Sequence, residues 1–463
     1  MTPVLLGVML YVLMQLAIGM LVSRRITSES DYLLAGRSLG LGLATFSVFA
    51  TWFGAETVVG AAGAIYEKGL SGGAADPFGY AACLLLMGFF FAVPLWRRGL
   101  TTLADLFRQR YSPSVERIAV LLIVPTSIMW AAAQIRAFGQ VISAASAFDV
   151  EAGILIATGV VIIYTVYGGL LADVMTDFVQ GIALIIGLGV LFYAVLEVSG
   201  GFSAALSTIR PEQLHLFGGP DTTLLETIEK WAIPITGSVI AQELVSRMLA
   251  CRTPQIARRA ALFGGSLYLA VGLIPVFIGL IGAQLLPGLA EPEQLLPKLA
   301  EQHLSTVLYI LFAGALISAI LSTVDSALLA ASALVEHNLI VPLRPGLSDR
   351  AKVRIARAGV ALFGVLAYVL ALHAEGIYQL VQASSAFGGA GIFIIVMFGL
   401  FTRIGGPRAA IAALLTGVAV WLTGEFLLGW PVPYLMSLAA ALGAYLAFAL
   451  FERSSEADRQ VAP

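Results

Sequence analysis

Ser322, Thr323, Asp325 and Ser326 stand inside an apolar stretch long enough to cross a membrane, with Leu304 to Ser318 before them and Ala327 to Leu334 after. With Ala319, the residues Ser322, Thr323 and Ser326 follow i, i+3, i+4, i+7 spacing and share one face of a helix. A carboxylate at such a depth costs about 2.5–3.5 kcal/mol on insertion scales, and more if unpaired. An ion, a proton path or a buried partner is the usual reason for it. Hard oxygen ligands without sulfur or nitrogen suit a small cation, and Na+ is the first expectation. Hydroxyls that bond one membrane helix to the next fit the same spacing.

A second group of polar and aromatic residues lies on three other apolar stretches: Trp52, Glu56 and Thr57; Trp130, Gln134 and Gln140; Thr236, Ser238, Gln242 and Glu243. Glu56 is an intramembrane carboxylate and so a functional candidate by default. Beside indole faces it would suit an ammonium group through cation–π attraction. The alternative is that Trp52 and Trp130 only pack, and that Glu56 meets Arg136 or a backbone donor.

The elements that must position these residues are membrane helices. Of the 463 residues, 59% are hydrophobic and 12% charged, whereas about 25% are charged in soluble domains. An all-α polytopic membrane protein follows, and at roughly 20 residues per span about thirteen helices fit. They fall near 4–22, 42–66, 73–96, 115–147, 152–168, 177–199, 226–246, 260–287, 304–339, 353–373, 376–401, 408–429 and 432–451. The first lacks a basic leader and a small-residue cleavage site, so it reads as a retained helix. Net charge of −2 points to no nucleic-acid partner, and no protein partner is evident. Cys83 and Cys251 suggest neither disulfide nor thiolate site, and His215, His303, His337 and His373 show no metal-ligand or catalytic spacing. The chain is therefore not expected to be an enzyme.

Loop charge sets an expected orientation. Arg24, Arg25, Arg37, Arg97, Arg98, Arg108, Arg110, Arg247, Arg252, Arg258 and Arg259 fall in odd-numbered loops, as do Arg344, Arg350 and Lys352. Even loops carry Lys68, Arg210, Lys230 and Lys298 with Glu67, Asp149, Glu151, Glu212, Asp221, Glu291 and Glu293. The positive-inside rule then puts the N-terminus outside and the C-terminus in the cytoplasm of a multi-pass cell (inner) membrane protein, with an odd number of spans. Two spans are interrupted, one at Gly54 and one around Pro234, Thr236 and Gly237, and five spans separate their starts. Broken helices at matching places point to inverted repeats with a midplane site, although Gly and Pro are frequent in membrane helices generally.

The stretch Tyr167-Gly168-Gly169-Leu170-Leu171-Ala172-Asp173-Val174-Met175-Thr176-Asp177-Phe178-Val179-Gln180 resembles the sodium:solute symporter family, with Met175 where the family has a tryptophan. Gly63-Ala64-Ile65-Tyr66, Thr102-Leu103-Ala104-Asp105, Arg110-Tyr111 and Ser322-Thr323 extend the likeness over most of the chain. It implies a LeuT-like core of two inverted five-helix repeats at 41–199 and 200–401. An extra helix and inner loop at 1–40 and two helices with a short tail at 402–463 flank them. It implies import of a small solute coupled to Na+ by alternating access in the bilayer, with the ion between the Ser322 and Thr323 hydroxyls and the carbonyls of Ala319, Ala50 and Phe53. Only an unwound stretch can offer free carbonyls, and uncharged oxygens suit a monovalent ion better than Ca2+.

Some family members are thought to hold a second Na+, which maps onto Asp177, Ser322, Asp325 and Ser326. Helix capping by Asp177 and pairing of Asp325 with an inner-loop arginine are the structural alternatives. Ala50-Thr51-Trp52 and Met129-Trp130-Ala131-Ala132-Ala133 are similar to the choline-transporter branch, which has a further tryptophan where Ala241 falls. Trp52, Glu56, Thr57, Trp130, Gln134, Thr236 and Gln242 are thus expected around an amine, amino acid or choline/betaine-like solute. An uncharged or anionic solute (sugar, carboxylate, vitamin) and a transporter-like sensor are the alternatives.

Overall fold

The computed structural model describes residues 3–23, 26–146, 148–218, 222–374 and 376–461. Arg24, Arg25 and Asp221, which enter the charge argument, lie outside the described residues. Among the described residues the chain is helical, with one isolated β-bridge and no strand. Among the described residues nine helices are long and apolar enough to cross a membrane, or ten if the pair Ile377–Ala386 and Gly389–Phe401, bent by 42°, forms one span. Rows of exposed apolar side chains such as Leu10, Leu13, Leu155, Leu362 and Leu450 cover the outer helices. Surface of that kind belongs against lipid.

Breaks and folds hold the number of long helices below thirteen. The 49-residue helix Val150–Val198 doubles back at Gly169, where φ is 57°. The Tyr164 hydroxyl reaches Thr176 Oγ1 at 2.5 Å, yet a straight helix would hold these residues about 18 Å apart at about 1.5 Å rise per residue. Glycine is needed at this fold on two counts. Its φ is left-handed, and a Cβ would come within 2.7 Å of the Tyr32 ring. The Glu56–Arg97 run is likewise interrupted, with extended backbone at Asp76.

Two further spans are broken where the sequence suggests. The helix Leu41–Trp52 stops at Phe53, whose φ and ψ of −88° and 69° leave the helical region, and helical winding resumes only at Ala55–Gly60. The second break follows Leu224–Ala232 and a wide turn at Ile233–Gly237, with helix resuming at Gln242–Ala250. The ends of the two broken spans are tied together, because Leu39 donates to the Ala250 carbonyl at 3.1 Å and receives Arg252 N–H at 3.0 Å. Arg247, counted by position as a loop charge, is instead 1% exposed inside the helix Gln242–Ala250. That placement is a correction to the charge reading. The guanidinium can sit there because carboxylates meet it, as described below.

The polar helix Thr306–Val335 is the hub. It packs on the folded helix Val150–Val198, on Pro113–Ala145 and on the first broken helix, and every residue from Phe312 to Leu334 is buried. Pro3–Ser23 lies at the periphery against the same hub, while Pro407–Leu422 and Pro433–Val461 pair with each other.

Candidate functional site

Two polar regions and one cavity surround the breaks. In the first region the helix face carrying Ser322 and Thr323 meets the end of Leu41–Trp52. Ser322 Oγ donates to the Ala50 carbonyl at 2.8 Å, and Thr323 Oγ1 to the Thr51 carbonyl at 2.9 Å. Both hydroxyls also lie 3.0 Å from the Ala319 carbonyl. Five uncharged oxygens from two elements thus converge in a fully buried place. Ala50, Ala319, Ser322 and Thr323 are brought together, and the second backbone carbonyl that Thr323 reaches is Thr51. Phe53 turns its ring onto Phe49 and Tyr268, with centroids 5.3 and 5.4 Å away.

One helical turn further on, the character changes from neutral to charged. Arg247 Nη2 lies 2.6 Å from Asp173 Oδ2 and 3.5 Å from Asp177 Oδ2, with all three side chains buried. It also bonds Ser326 Oγ, and its Nε donates to Ser47 Oγ at 3.1 Å. Asp177 Oδ2 accepts from Ser47 at 2.6 Å, and Thr51 Oγ1 makes a long contact to it at 3.5 Å. Asp325 lies beside Asp173 and accepts the Ser326 N–H at 3.1 Å. Three carboxylates therefore face one guanidinium. Asp177 Oδ1 and both polar atoms of the Gln180 side chain are buried without a hydrogen-bond partner, so the charged region still offers an open oxygen. Asp177 stands eight residues past the fold at Gly169, inside a helix, and does not cap one; Asp149 fills the N-cap.

The cavity lies beside both breaks. Its wall includes Trp52, Glu56, Tyr80, Trp130, Ala241 and Glu243. Trp52 and Trp130 meet edge to face at 5.2 Å. Glu56 receives the Trp130 indole N–H at 3.0 Å and the Gln134 amide at 2.7 Å, and Gln134 in turn accepts Ala55 N–H at 3.0 Å. Neutral donors satisfy this carboxylate without cancelling its charge. Glu243 accepts the Ser127 hydroxyl at 2.6 Å, and among the described residues no lysine, arginine or histidine lines the wall. The indole N–H of Trp52 has no partner. The cavity holds about 40 Å³, room for a few waters.

Other expected contacts point elsewhere. Thr57 bonds Asp76 at 2.8 Å and the Tyr268 hydroxyl at 3.0 Å. Thr236 turns to Tyr434 at 2.8 Å, and Gln242 accepts Leu103 N–H at 2.8 Å while donating to Ser246 at 2.8 Å. Arg136 reaches the Ala371 carbonyl at 3.1 Å and not Glu56. Ser238 and Glu243, both candidates from the sequence, are on the wall, joined by Tyr80, Ser127 and Ser385, which were not. Asp76, Asp173 and Arg247 escaped the sequence reading. The intramembrane-charge rule that singled out Glu56 applies equally to Asp76, whereas Asp173 falls between the expected spans 152–168 and 177–199.

A profile of the sodium:solute symporter family matches residues 32–417. The high affinity choline transporter 1 of Homo sapiens is 28% identical over 432 residues, covering 89% of this chain and 73% of that protein. The osmoregulated proline transporter OpuE of Bacillus subtilis is 25% identical, covering 89% and 87%. The sodium-coupled monocarboxylate transporter 2 of Homo sapiens is 26% identical, covering 89% and 71%. Among solved structures, a Na+-coupled sialic acid symporter in a substrate-bound outward-open state superposes with a TM-score of 0.85 at 18% identity, covering 97% of this chain and 98% of that one. A nucleobase-cation-symport-1 family transporter, in a closed conformation with bromovinylhydantoin bound, gives 0.64 at 17%, covering 93% and 96%. These likenesses show the fold, which is that of LeuT-like transporters. The chain belongs to the sodium:solute symporter family, multi-pass membrane transporters in which sodium is the coupling ion.

Proposed function

We propose that the protein imports a small organic cation, or a zwitterion bearing an amine, together with Na+ across the cell membrane. Relatives are named as transporters of choline, proline and monocarboxylates, a cation, a zwitterion and an anion, so kinship alone does not choose. The carrying observation is the cavity wall, in which Glu56 and Glu243 stand with Trp52, Trp130 and Tyr80 and without a basic residue. Aromatic faces and uncancelled carboxylates attract ammonium groups. Ala241, where the choline-transporter branch has a tryptophan, leaves that side of the wall open. Thr57, Gln134, Thr236 and Gln242 support the wall from behind or hold the breaks in shape.

Na+ belongs in the neutral region, held by the carbonyls of Ala50, Phe53 and Ala319 and the hydroxyls of Ser322 and Thr323, with Thr51 within reach. The hydroxyl protons now directed at carbonyls would turn away as the ion enters. A second cation belongs beside Asp177, Ser322, Asp325 and Ser326, where the unpartnered Asp177 Oδ1 would be its first ligand. The scaffold is read as thirteen spans, with inverted halves at 41–199 and 200–401 between flanking pieces at 1–40 and 402–463. The N-terminus is outside and the C-terminus in the cytoplasm.

On that orientation the end bearing Glu67, Lys68, Glu291 and Glu293 opens outward through a vestibule of about 850 Å³. The opposite end is sealed by contacts such as Gln242 to Leu103. Ions can shift this equilibrium only by binding one state more tightly than the other. A thermal-shift series on purified protein tests the reading: choline, proline, lactate and glucose, each in NaCl and in KCl. Stabilisation by choline or proline in NaCl alone is expected. Na+-dependent stabilisation by lactate or glucose, with none by the amines, would overturn it.

A further inference from the structure

The end of the molecule away from the open vestibule holds a cluster that neither coupling nor solute binding uses. Glu29, on the short helix Glu29–Leu34, meets the residues that follow the polar helix, Glu336 and His337. One ligand atom from each of Glu29, Glu336 and His337 lies within 4.8 Å of the others. Glu29 and His337 are 308 positions apart in sequence, which is why histidine spacing alone gave no sign of the site. Glu336 is the anomaly: it is 1% exposed, and neither carboxylate oxygen has a hydrogen-bond partner among the described residues. A buried carboxylate left so is costly unless something else meets it.

We propose that Glu29, Glu336 and His337 bind a divalent transition-metal ion of the Zn2+ type. The remaining atoms of the ligands are already held as a metal site requires. His337 Nε2 lies 3.3 Å from Asp105 Oδ1, leaving Nδ1 for the metal. Asp105 is itself fixed by Asn338 Nδ2 at 2.8 Å and by Thr101 N–H at 2.7 Å. An imidazole that gives its other nitrogen to an anchored carboxylate is the common partner of a bound metal. Glu29 Oε2 is pinned by Lys352 Nζ at 2.5 Å, which leaves Oε1 facing His337 Nδ1 at 2.5 Å.

Bonds of about 2.1 Å at a tetrahedral angle place donor atoms about 3.4 Å apart. Glu29 and His337 must therefore part slightly while Glu336 closes in. The proton shared between Nδ1 and Oε1 leaves to solvent as the ion enters. Two carboxylates and one neutral imidazole balance a divalent charge and keep a position open for water. Because the site joins the segment leading into the first broken helix to the end of the polar helix, a bound ion would hold this end shut.

The test uses the full chain in detergent, with ZnCl2 as titrant in calorimetry and CoCl2 as a visible-absorption probe. One equivalent of Zn2+ should bind, with a Co2+ absorption band that Zn2+ displaces. Glu336→Gln and His337→Gln should each weaken binding at least tenfold, and His303→Gln should leave it unchanged. Glu336 makes no hydrogen bond that folding needs, so its variant keeps the proposal testable if His337→Gln is poorly folded. Absence of stoichiometric binding, or equal binding by Glu336→Gln, would overturn the site. Neither outcome bears on the solute reading.

Discussion

The polar helix carries two regions one turn apart that solve opposite problems. Around Ser322 and Thr323 every ligand is uncharged and every hydroxyl proton is lent to a carbonyl that an ion could claim. Around Asp325 and Ser326 the charges are formal, and a guanidinium built into the chain meets them. A monovalent ion that must be released each cycle suits neutral oxygens, which attract it without trapping it. Three carboxylates could not stand together at that depth without a resident cation. On the proposed reading the neutral region is built for exchange and the Arg247 ion pairs for permanence, with Asp177 Oδ1 and Gln180 Oε1 left open among the described residues.

Removing the resident cation should produce the largest effect. Leaving buried carboxylates uncompensated costs about 3–5 kcal/mol, so Arg247→Met should lower the melting temperature sharply and abolish transport. Adding Asp173→Asn should restore part of the stability, since it removes the closest of the three charges. Unchanged melting of Arg247→Met would mean that the carboxylates do not need the guanidinium, and the contrast between the regions would fail.

The neutral region should respond differently, losing ion affinity and keeping its fold. Ser322→Ala with Thr323→Ala removes both hydroxyls, each worth about 1 kcal/mol. The half-saturating Na+ concentration for uptake or for thermal stabilisation should rise at least tenfold, with normal expression. Unaltered Na+ dependence would show that these hydroxyls only join helices. For the cavity, Glu56→Gln deletes the charge and keeps an acceptor for one of the two neutral donors, Trp130 or Gln134. An amine solute should weaken roughly tenfold, about 1.4 kcal/mol, and an uncharged one much less. Equal losses for both would remove the ammonium partner.

Legibility in the sequence followed local geometry. The Ser322/Thr323 face was readable because helical periodicity alone decides which residues share it, and the break beside Gly54 because the chain must unwind somewhere to free carbonyls. Arg247 was not, since loop-charge counting works by distance along the chain and the second broken span continues three residues beyond it. The expected spans 152–168 and 177–199 leave Asp173 in a loop, whereas it lies buried in helix just after the fold at Gly169. The directions of Thr236 and Gln242 were hidden for a related reason. A wide turn and a restart rotate the following helix by an amount that no residue spacing specifies. The fold at Gly169 falls in the gap between the expected spans 152–168 and 177–199, whereas the Tyr164–Thr176 contact across it could not be read from spacing.

The smallest effect is expected at Thr51, whose carbonyl belongs to the neutral region and whose hydroxyl approaches the charged one. Its carbonyl accepts from Thr323 at 2.9 Å, while its hydroxyl only approaches Asp177 at 3.5 Å. A bond at that length is weak, and Thr51→Val removes it without touching the carbonyl or the side-chain volume. Na+ affinity should therefore change by less than about threefold, below the 1.4 kcal/mol of a tenfold effect. A larger loss would mean that the hydroxyl transmits charge from Asp177 to the neutral oxygens. The two regions would then be one site with a shared ion, and the division between exchange and permanence would have to be redrawn at Thr51.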